Sequence, residues 1–474
     1  MSKITRRSFI QKAGLFTAGG AAISADLPGY KSNTANAQVL PEWLNLTQET
    51  ALEPDLPIID PHHHFWDRPN NRYMLEDLLE DTAAHNVRQT VFVECTSMYR
   101  ADGPEELKVI GETEFVQGIA AKSASGGYGD KRIAAGIVGS ADLRLGDKVA
   151  PVLEAHIAAS PQRFRGIRHR AAWADRSVLP NLPADAPRNI LLDSDFRKGY
   201  AHLRTYGLSF EGWLYHTHIS DLTDLAKTFP DTTIIFNHLG GPIGVGSFAG
   251  RRDEVFQAWK PDVAKLAECP NVVAKVGGIQ MVVNGYGWHE REKPPTSDEL
   301  LAANKDWYNY IIDQFGPDRC MFESNFPVDK LSCSYTVLWN QFKKLTSGFS
   351  ADERAAMFHD TAMRTTVRVM AARDLKGLAI RIFAHSPFAI AAVKYPTPSL
   401  VLATTSASGD PAMGLAAVPD AAELAPEAAP VAISPIFFTP ASAASYASRA
   451  ISTVRSHART APVFAATTAA LTAS

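Results

Sequence analysis

From residue 57 onward two kinds of pattern take turns along the chain. Short runs rich in β-branched and apolar residues read as strands: PIIDPHHHF, RQTVFVEC, RIAAGIVGSADL, FRGIRHRAA, LSFEGWLYH, TTIIFNHL, NVVAKVGGI and RCMFESNFP. Between them lie longer amphipathic stretches that read as helices, such as MLEDLLEDTAAHN, PEELKVIGETEFVQGIAAKSA, KVAPVLEAHIAAS, ISDLTDLAKTF and SDELLAANKDWYNYIIDQFG. Strands separated by helices need crossover connections and so lie parallel. Eight such units over about 310 residues predict a (β/α)8 TIM barrel with some long loops, and a doubly wound open sheet is the alternative. Ser350, with Glu353 three positions on, is a capping-box start for a terminal helix, so the folded domain is expected to span residues 56–370.

The flanks follow other rules. Residues 1–37 place Arg6-Arg7 ahead of Ser-Phe-Ile, then a weakly apolar Ala/Gly-rich stretch, then small residues at Ala35 and Ala37. That order resembles a twin-arginine export signal, implying the twin-arginine machinery as a partner and a periplasmic or otherwise exported protein. A linker is expected over 38–55. Residues 371–474 turn Ala/Ser/Pro-rich with no sustained period, the composition of a loosely ordered tail. No later apolar run is long enough for a membrane span in the mature chain.

Composition narrows the chemistry. A net charge of only -3 gives no footing for nucleic acid. Cys95, Cys269, Cys320 and Cys333 are far apart, with no Cys-x-x-Cys pair, and read as buried thiols. NHLGGP lacks the lysine and spacing of a phosphate loop. A small-molecule substrate remains.

In a barrel, reactive groups sit where strands end and loops begin. His62 and His64 close the first run, Glu94 the second, Arg168 and His169 the fourth, His216 the fifth, His238 the sixth and Asn325 the eighth. Residues two apart on a strand face the same side, so His62 and His64 project together and His63 points away. Two imidazoles so placed can share one divalent ion, and the plain alternative is a pair of hydrogen-bonded strand-end histidines. Arg168 or His169 can face inward; a guanidinium there would grip a substrate carboxylate, or else pair with Glu94. The loop MVVNGYGWHEREKPP brings Tyr286, Trp288 and His289, either capping a pocket or packing under the loop.

These residues resemble the amidohydrolase superfamily, in its amidohydrolase-2 branch of lactonases and nonoxidative decarboxylases. The carriers run from Leu56 to Val369: DPHHHFWD, VFVEC with MYRADGPEEL, RFRGIRH, WLYHTHISDLTDLAKTFPDTTIIFNHLGGPIG, GYGWHERE and CMFESNFPVDK. The resemblance implies one divalent metal ion, zinc by expectation, on His62, His64 and His216, with His238 beside the reacting water or carbonyl. Many relatives end strand eight in an aspartate that serves as ligand and base. Here that position is Asn325, a neutral amide that cannot accept a proton. Proton transfer then falls to His238, Glu94, Glu323 or Asp329, and His238 is ranked first because it ends a strand. The fourth strand lacks a bridging lysine, so a binuclear centre is not expected. The leading expectation is metal-assisted opening of a lactone or similar cyclic ester of a small carboxylated or sugar-derived acid. The alternatives are a decarboxylase and, because of Asn325, a noncatalytic ligand-binding barrel.

Overall fold

The computed structural model describes residues 39–69, 71–176, 178–179 and 187–367. The expected export signal and the expected tail lie outside the described residues. All eight expected strands form: β1 (Ile58–His63), β2 (Val87–Val93), β3 (Arg132–Gly139), β4 (Phe164–Arg168), β5 (Ser209–Gly212), β6 (Ile234–Phe236), β7 (Val272–Gly277) and β8 (Cys320–Glu323). They make one sheet in which each strand lies beside its successor, parallel at every step. The ends of that order meet. A parallel bridge joins His63 to Phe326, the Asn325 N–H donates to His62 O at 2.9 Å, and the His64 N–H donates to Phe326 O at 2.8 Å. A doubly wound sheet would leave two free edges, so the closed barrel is the fold.

Helices cover the outside: α1 (Leu75–Asp81), α2 (Ile110–Ala124), α3 (Ala150–Ala159), α4 (Ser194–Thr205), α5 (Ile219–Thr228), α6 (Arg252–Ala267), α7 (Ser297–Phe315) and α8 (Tyr335–Leu345). Local chemistry starts them. The Thr296 hydroxyl accepts the Glu299 N–H ahead of α7, and Glu299 answers the Thr296 N–H. Asp193 accepts from the Asp195 and Phe196 N–H groups ahead of α4. The inward stripe of α7, Leu300, Tyr308, Ile311, Ile312 and Phe315, keeps helical spacing and is buried. The Ser350–Glu353 capping box forms as expected, and two π-helical turns follow it to Val367.

Two apolar shells result. Between sheet and helices lies the larger one. Inside the barrel Ile59, Val91, Val138, Ile235, Val273 and Met321 pack together with Ala362 and Val367 of the terminal turns, each large side chain stabilising by about 1.5–3 kcal/mol. Ile59 joins this inner cluster although it is three residues from His62. The register of β1 slips between Asp60 and His63, and such an irregularity turns His62 inward as well. Residues 39–55 are tied to the barrel: the Trp43 indole donates to Arg291 O at 2.9 Å and the Leu52 N–H to Asn340 Oδ1 at 2.8 Å. All four cysteines are buried and unbonded to one another. Among the described residues no helix is long and apolar enough to cross a membrane.

Candidate active site

A cavity of about 540 Å³ opens at the C-terminal ends of the strands, and every strand or its following loop supplies a wall residue: His64, Glu94, Ser140, Arg168, Trp213, His238, Met281 and Asn325. Convergence of all eight on one mouth is what the barrel dictates.

His62 lies behind the wall residues His64 and His238, with no side-chain exposure. Its ring is 5.0 Å from that of His64 and 4.5 Å from that of His238. Burial first, then Lys275, His238, His64 and Arg168, hold the His62 imidazole well below the usual histidine range, so it is neutral. Arg168 donates Nη1–H to His62 Nε2 at 3.3 Å. His64 donates Nδ1–H to Val93 O at 2.8 Å, and its Nε2 lies 3.3 Å from Asn325 Oδ1. His63 points outward, as expected, and receives the Thr90 hydroxyl at 2.8 Å.

His238 sits just beyond β6 with φ +53, a left-handed backbone that costs free energy for a residue with a Cβ. There its Nδ1–H donates to Glu323 Oε1 at 2.7 Å. The other carboxylate oxygen, Oε2, is 2.6 Å from His62 Nδ1, but the approach is not aligned for a hydrogen bond and this buried oxygen has no donor. Among the described residues, His62, His238 and Glu323 form the group of three whose ligand atoms all lie within 4.8 Å of one another. Beneath them Lys275, fully buried, donates to both oxygens of Glu211 at 2.9 and 2.8 Å. Its Nζ is 3.4 Å from His62 Nδ1.

The set His62, His64 and His216 is not gathered. β5 stops at Gly212, so His216 falls in a separate 3-10 turn. There its Nδ1 accepts the Ile243 N–H at 3.3 Å, its ring packs edge-on against Phe248, and burial pushes the imidazole down to about 4. The cluster instead joins His62 with His238 and Glu323, so His64 and His216 both fall outside it; Glu323 is the residue that sequence parity placed on the inner face one layer below Asn325.

Asn325 also has positive φ, +55, and donates Nδ2–H to Asp329 Oδ1 at 2.9 Å. Asp329 is not a solvated loop residue. Burial holds its carboxyl well above the usual carboxylate range, and it accepts the Gln280 N–H at 3.1 Å. It braces Asn325, while Lys330 pairs with Asp81 at 2.7 Å.

Glu94 is committed to guanidinium groups. Burial pushes its carboxyl up, but Arg170 and Arg168 outweigh that and leave it below the usual range, an anion ill suited to take protons. Arg168 donates Nε–H to Glu94 Oε1 at 2.7 Å and Nη2–H to the Glu94 carbonyl. With Nη1 on His62, its fork is engaged within the protein rather than offered to a carboxylate. His169 lines the cavity, accepts the Leu143 N–H at 3.1 Å, and is pushed down to about 4 by burial. Tyr286 and His289 are not among the wall residues. The Tyr286 hydroxyl donates to Asn304, its ring stacks on Trp288, and Arg252 lies 3.6 Å from its centroid, so it packs the loop. Lys275, Glu211 and Arg170 escaped sequence reasoning. A charge inside each of the apolar runs SFEG and VVAKVG was the available signal for the first two.

The barrel and its mouth define a class: parallel βα units whose loops gather imidazoles, carboxylates and guanidinium groups about one cavity. The amidohydrolase family matches residues 59–365, and the chain belongs to it. The chain is 33% identical over 336 residues to uncharacterized protein y4mH of Sinorhizobium fredii (strain NBRC 101917 / NGR234), covering 65% of this chain and 97% of that one. It is 27% identical over 317 residues to the L-fucono-1,5-lactonase of Burkholderia multivorans (strain ATCC 17616 / 249), covering 65% and 94%. Among solved structures, an amidohydrolase from Burkholderia multivorans with bound zinc shares the fold, with TM-score 0.50, 24% identity, and coverage of 65% of this chain and 98% of that one.

Proposed function

We propose that the protein hydrolyses a lactone or similar cyclic ester of a small acid, with His238 as the base that activates water. The observation that carries this reading is the 2.7 Å contact between His238 Nδ1 and Glu323 Oε1. A carboxylate on Nδ1 fixes the tautomer and leaves Nε2 as the proton acceptor on the cavity side. His238 Nε2 takes a proton from water as the oxygen attacks the carbonyl carbon. The tetrahedral intermediate then collapses with cleavage of the ring C–O bond, and His238 returns the proton to the departing alkoxide. The product is an open hydroxy acid. Glu323 stabilises the imidazolium formed on the way, and the proton has a carrier without the aspartate that Asn325 replaces. The 27% identity to an L-fucono-1,5-lactonase supports the same reaction class.

The donors also fit one divalent ion. Ligand atoms of His62, His238 and Glu323 lie within 4.8 Å of one another, and the His62–Glu323 side of that group, 2.6 Å between Nδ1 and Oε2, includes the carboxylate oxygen without a donor, a donor pair of the kind zinc takes. His62 and Glu323 would hold it, leaving His238 Nε2 free as the base, and it would supply Lewis-acid polarisation of the carbonyl and a more acidic water. The zinc in the Burkholderia multivorans structure supports this assignment.

The test is a lactone panel with metal analysis. His238→Ala is expected to lower kcat by about 10²- to 10⁴-fold, and wild-type-like turnover in that variant contradicts the reading. The basic cavity wall also suits a decarboxylase of an acidic substrate. Release of carbon dioxide with no uptake of water identifies that reaction. A barrel that only binds its ligand shows neither. Export through Arg6-Arg7 is part of the proposal and rests on sequence; fractionation of an Arg6→Lys/Arg7→Lys variant tests it.

A further inference from the structure

Four guanidinium groups reach the cavity wall, on Arg68, Arg144, Arg168 and Arg170, against two carboxylates, Glu94 and Asp142. Each carboxylate already has its own partner. Asp142 takes the Nε and Nη2 of Arg144 at 2.8 Å each, and Glu94 takes Arg168 at 2.7 Å. The wall therefore carries positive charge in excess, which draws anions into a low-dielectric mouth.

Arg168 and Arg170 differ in what they offer. Arg168 has 7% of its side chain exposed and is spent on Glu94 and His62. Arg170 has 40% exposed. It touches Thr96 Oγ1 through Nη2 at 2.8 Å and lies 3.5 Å from Glu94 Oε2 through the same nitrogen, and it is itself a wall residue of the cavity. The loop that seats it is strained: Thr96 has φ +62 and Met98 φ +55. For a β-branched residue this is an outlier, of the kind that persists where a side chain must be aimed. Trp66, Trp213 and Tyr215 on the wall give apolar faces for the body of a small ring.

We infer that Arg170 is a specificity-determining residue that reads a carboxylate on the substrate. The substrate class is then a lactone that keeps a free carboxylate, rather than a neutral sugar lactone. This rests on the hydrolase reading for the word lactone, but the anion subsite is testable without turnover.

Melting of the full-length protein is followed with glutarate, with glutaramide as the neutral counterpart, and with inorganic phosphate, in the wild type, Arg170→Gln and Arg170→Lys. The expected result is a rise in Tm with glutarate alone, lost in Arg170→Gln and partly kept in Arg170→Lys. In turnover, kcat/KM for a carboxylated lactone falls by about 10- to 100-fold in Arg170→Gln, the loss of a charged hydrogen-bond partner. That loss is in KM, and the preference over the neutral lactone of the same ring collapses. Equal responses to glutarate and glutaramide, a glutarate response that survives in Arg170→Gln, or an equal response to phosphate overturns the assignment. A glutarate response that depends on Arg170, in a protein that opens no lactone, upholds the subsite and refutes the hydrolase reading.

Discussion

Gly278, just past β7, is the position where a single methyl group tests how His238 is held. Its φ is +66, and a Cβ built there would fall 1.8 Å from His238 Nδ1 and 2.6 Å from both Cγ and Cε1 of the same ring. Gly278→Ala therefore incurs two costs. Placing an L-residue in the left-handed region costs about 1–2 kcal/mol, and forcing a methyl into a packed site costs about 1–3 kcal/mol more. If His238 stays on Glu323, the full sum of about 2–5 kcal/mol appears as lost stability, a Tm lower by about 4–10 °C. If the imidazole swings aside, the second cost shrinks and the 2.7 Å contact to Glu323 is lost, with about 10²- to 10⁴-fold of rate. Differential scanning calorimetry and kcat measured together separate the two, and one or the other must fall. A variant with unchanged Tm and unchanged kcat would refute the close packing of Gly278 on His238 and the account of how that base is aimed.

Three further outcomes follow from buried charge. Lys275→Met leaves the fully buried Glu211 without its ammonium and should destabilise by about 3–5 kcal/mol, with much of that recovered in Lys275→Met/Glu211→Leu; denaturant melts check it, and a single variant as stable as the wild type contradicts the pairing. Burial, then Glu94, pushes the Glu112 carboxyl up to about 8. The folded state then holds a proton that the unfolded chain releases near pH 4.5, so this group's stabilising contribution is complete below that pH and declines as pH rises toward 8. Glu112→Gln keeps an acceptor for the Cys95 and Ser97 N–H groups, and it should flatten that decline by a few kcal/mol at most, on the order of 1.4 per pH unit. An identical pH dependence in both proteins would show that Glu112 titrates normally.

The barrel was legible because parallel strands buried on both faces must be written as Ile/Val runs, and eight of them separated by helices leave few other topologies. The strand ends were legible too, since His64, His238 and Asn325 line the cavity and His62 packs against the first two. Pairing was not. The contacts that decide the chemistry join residues far apart in the chain, Arg168 to Glu94, Lys275 to Glu211 and His238 to Glu323, and side-chain parity gives a direction without giving depth or partner. His216 shows the same gap: it follows the apolar run of β5, but the strand ends four residues earlier and the chain turns away. The slip in β1, by contrast, was written in the sequence: Pro61 has no N–H to give the ladder, and a proline inside a central strand marks a break such as the one between Asp60 and His63.

The central claim is that His238 and Glu323 act as one unit on the attacking water. A double-mutant cycle of His238→Gln, Glu323→Gln and the double variant, read as kcat/KM on the lactone the panel identifies, addresses it directly. Compared at equal metal content, coupling predicts that the double variant is no slower than His238→Gln alone, because removing the base already removes what Glu323 orients. Losses that multiply, or a Glu323→Gln enzyme at wild-type speed, would contradict it.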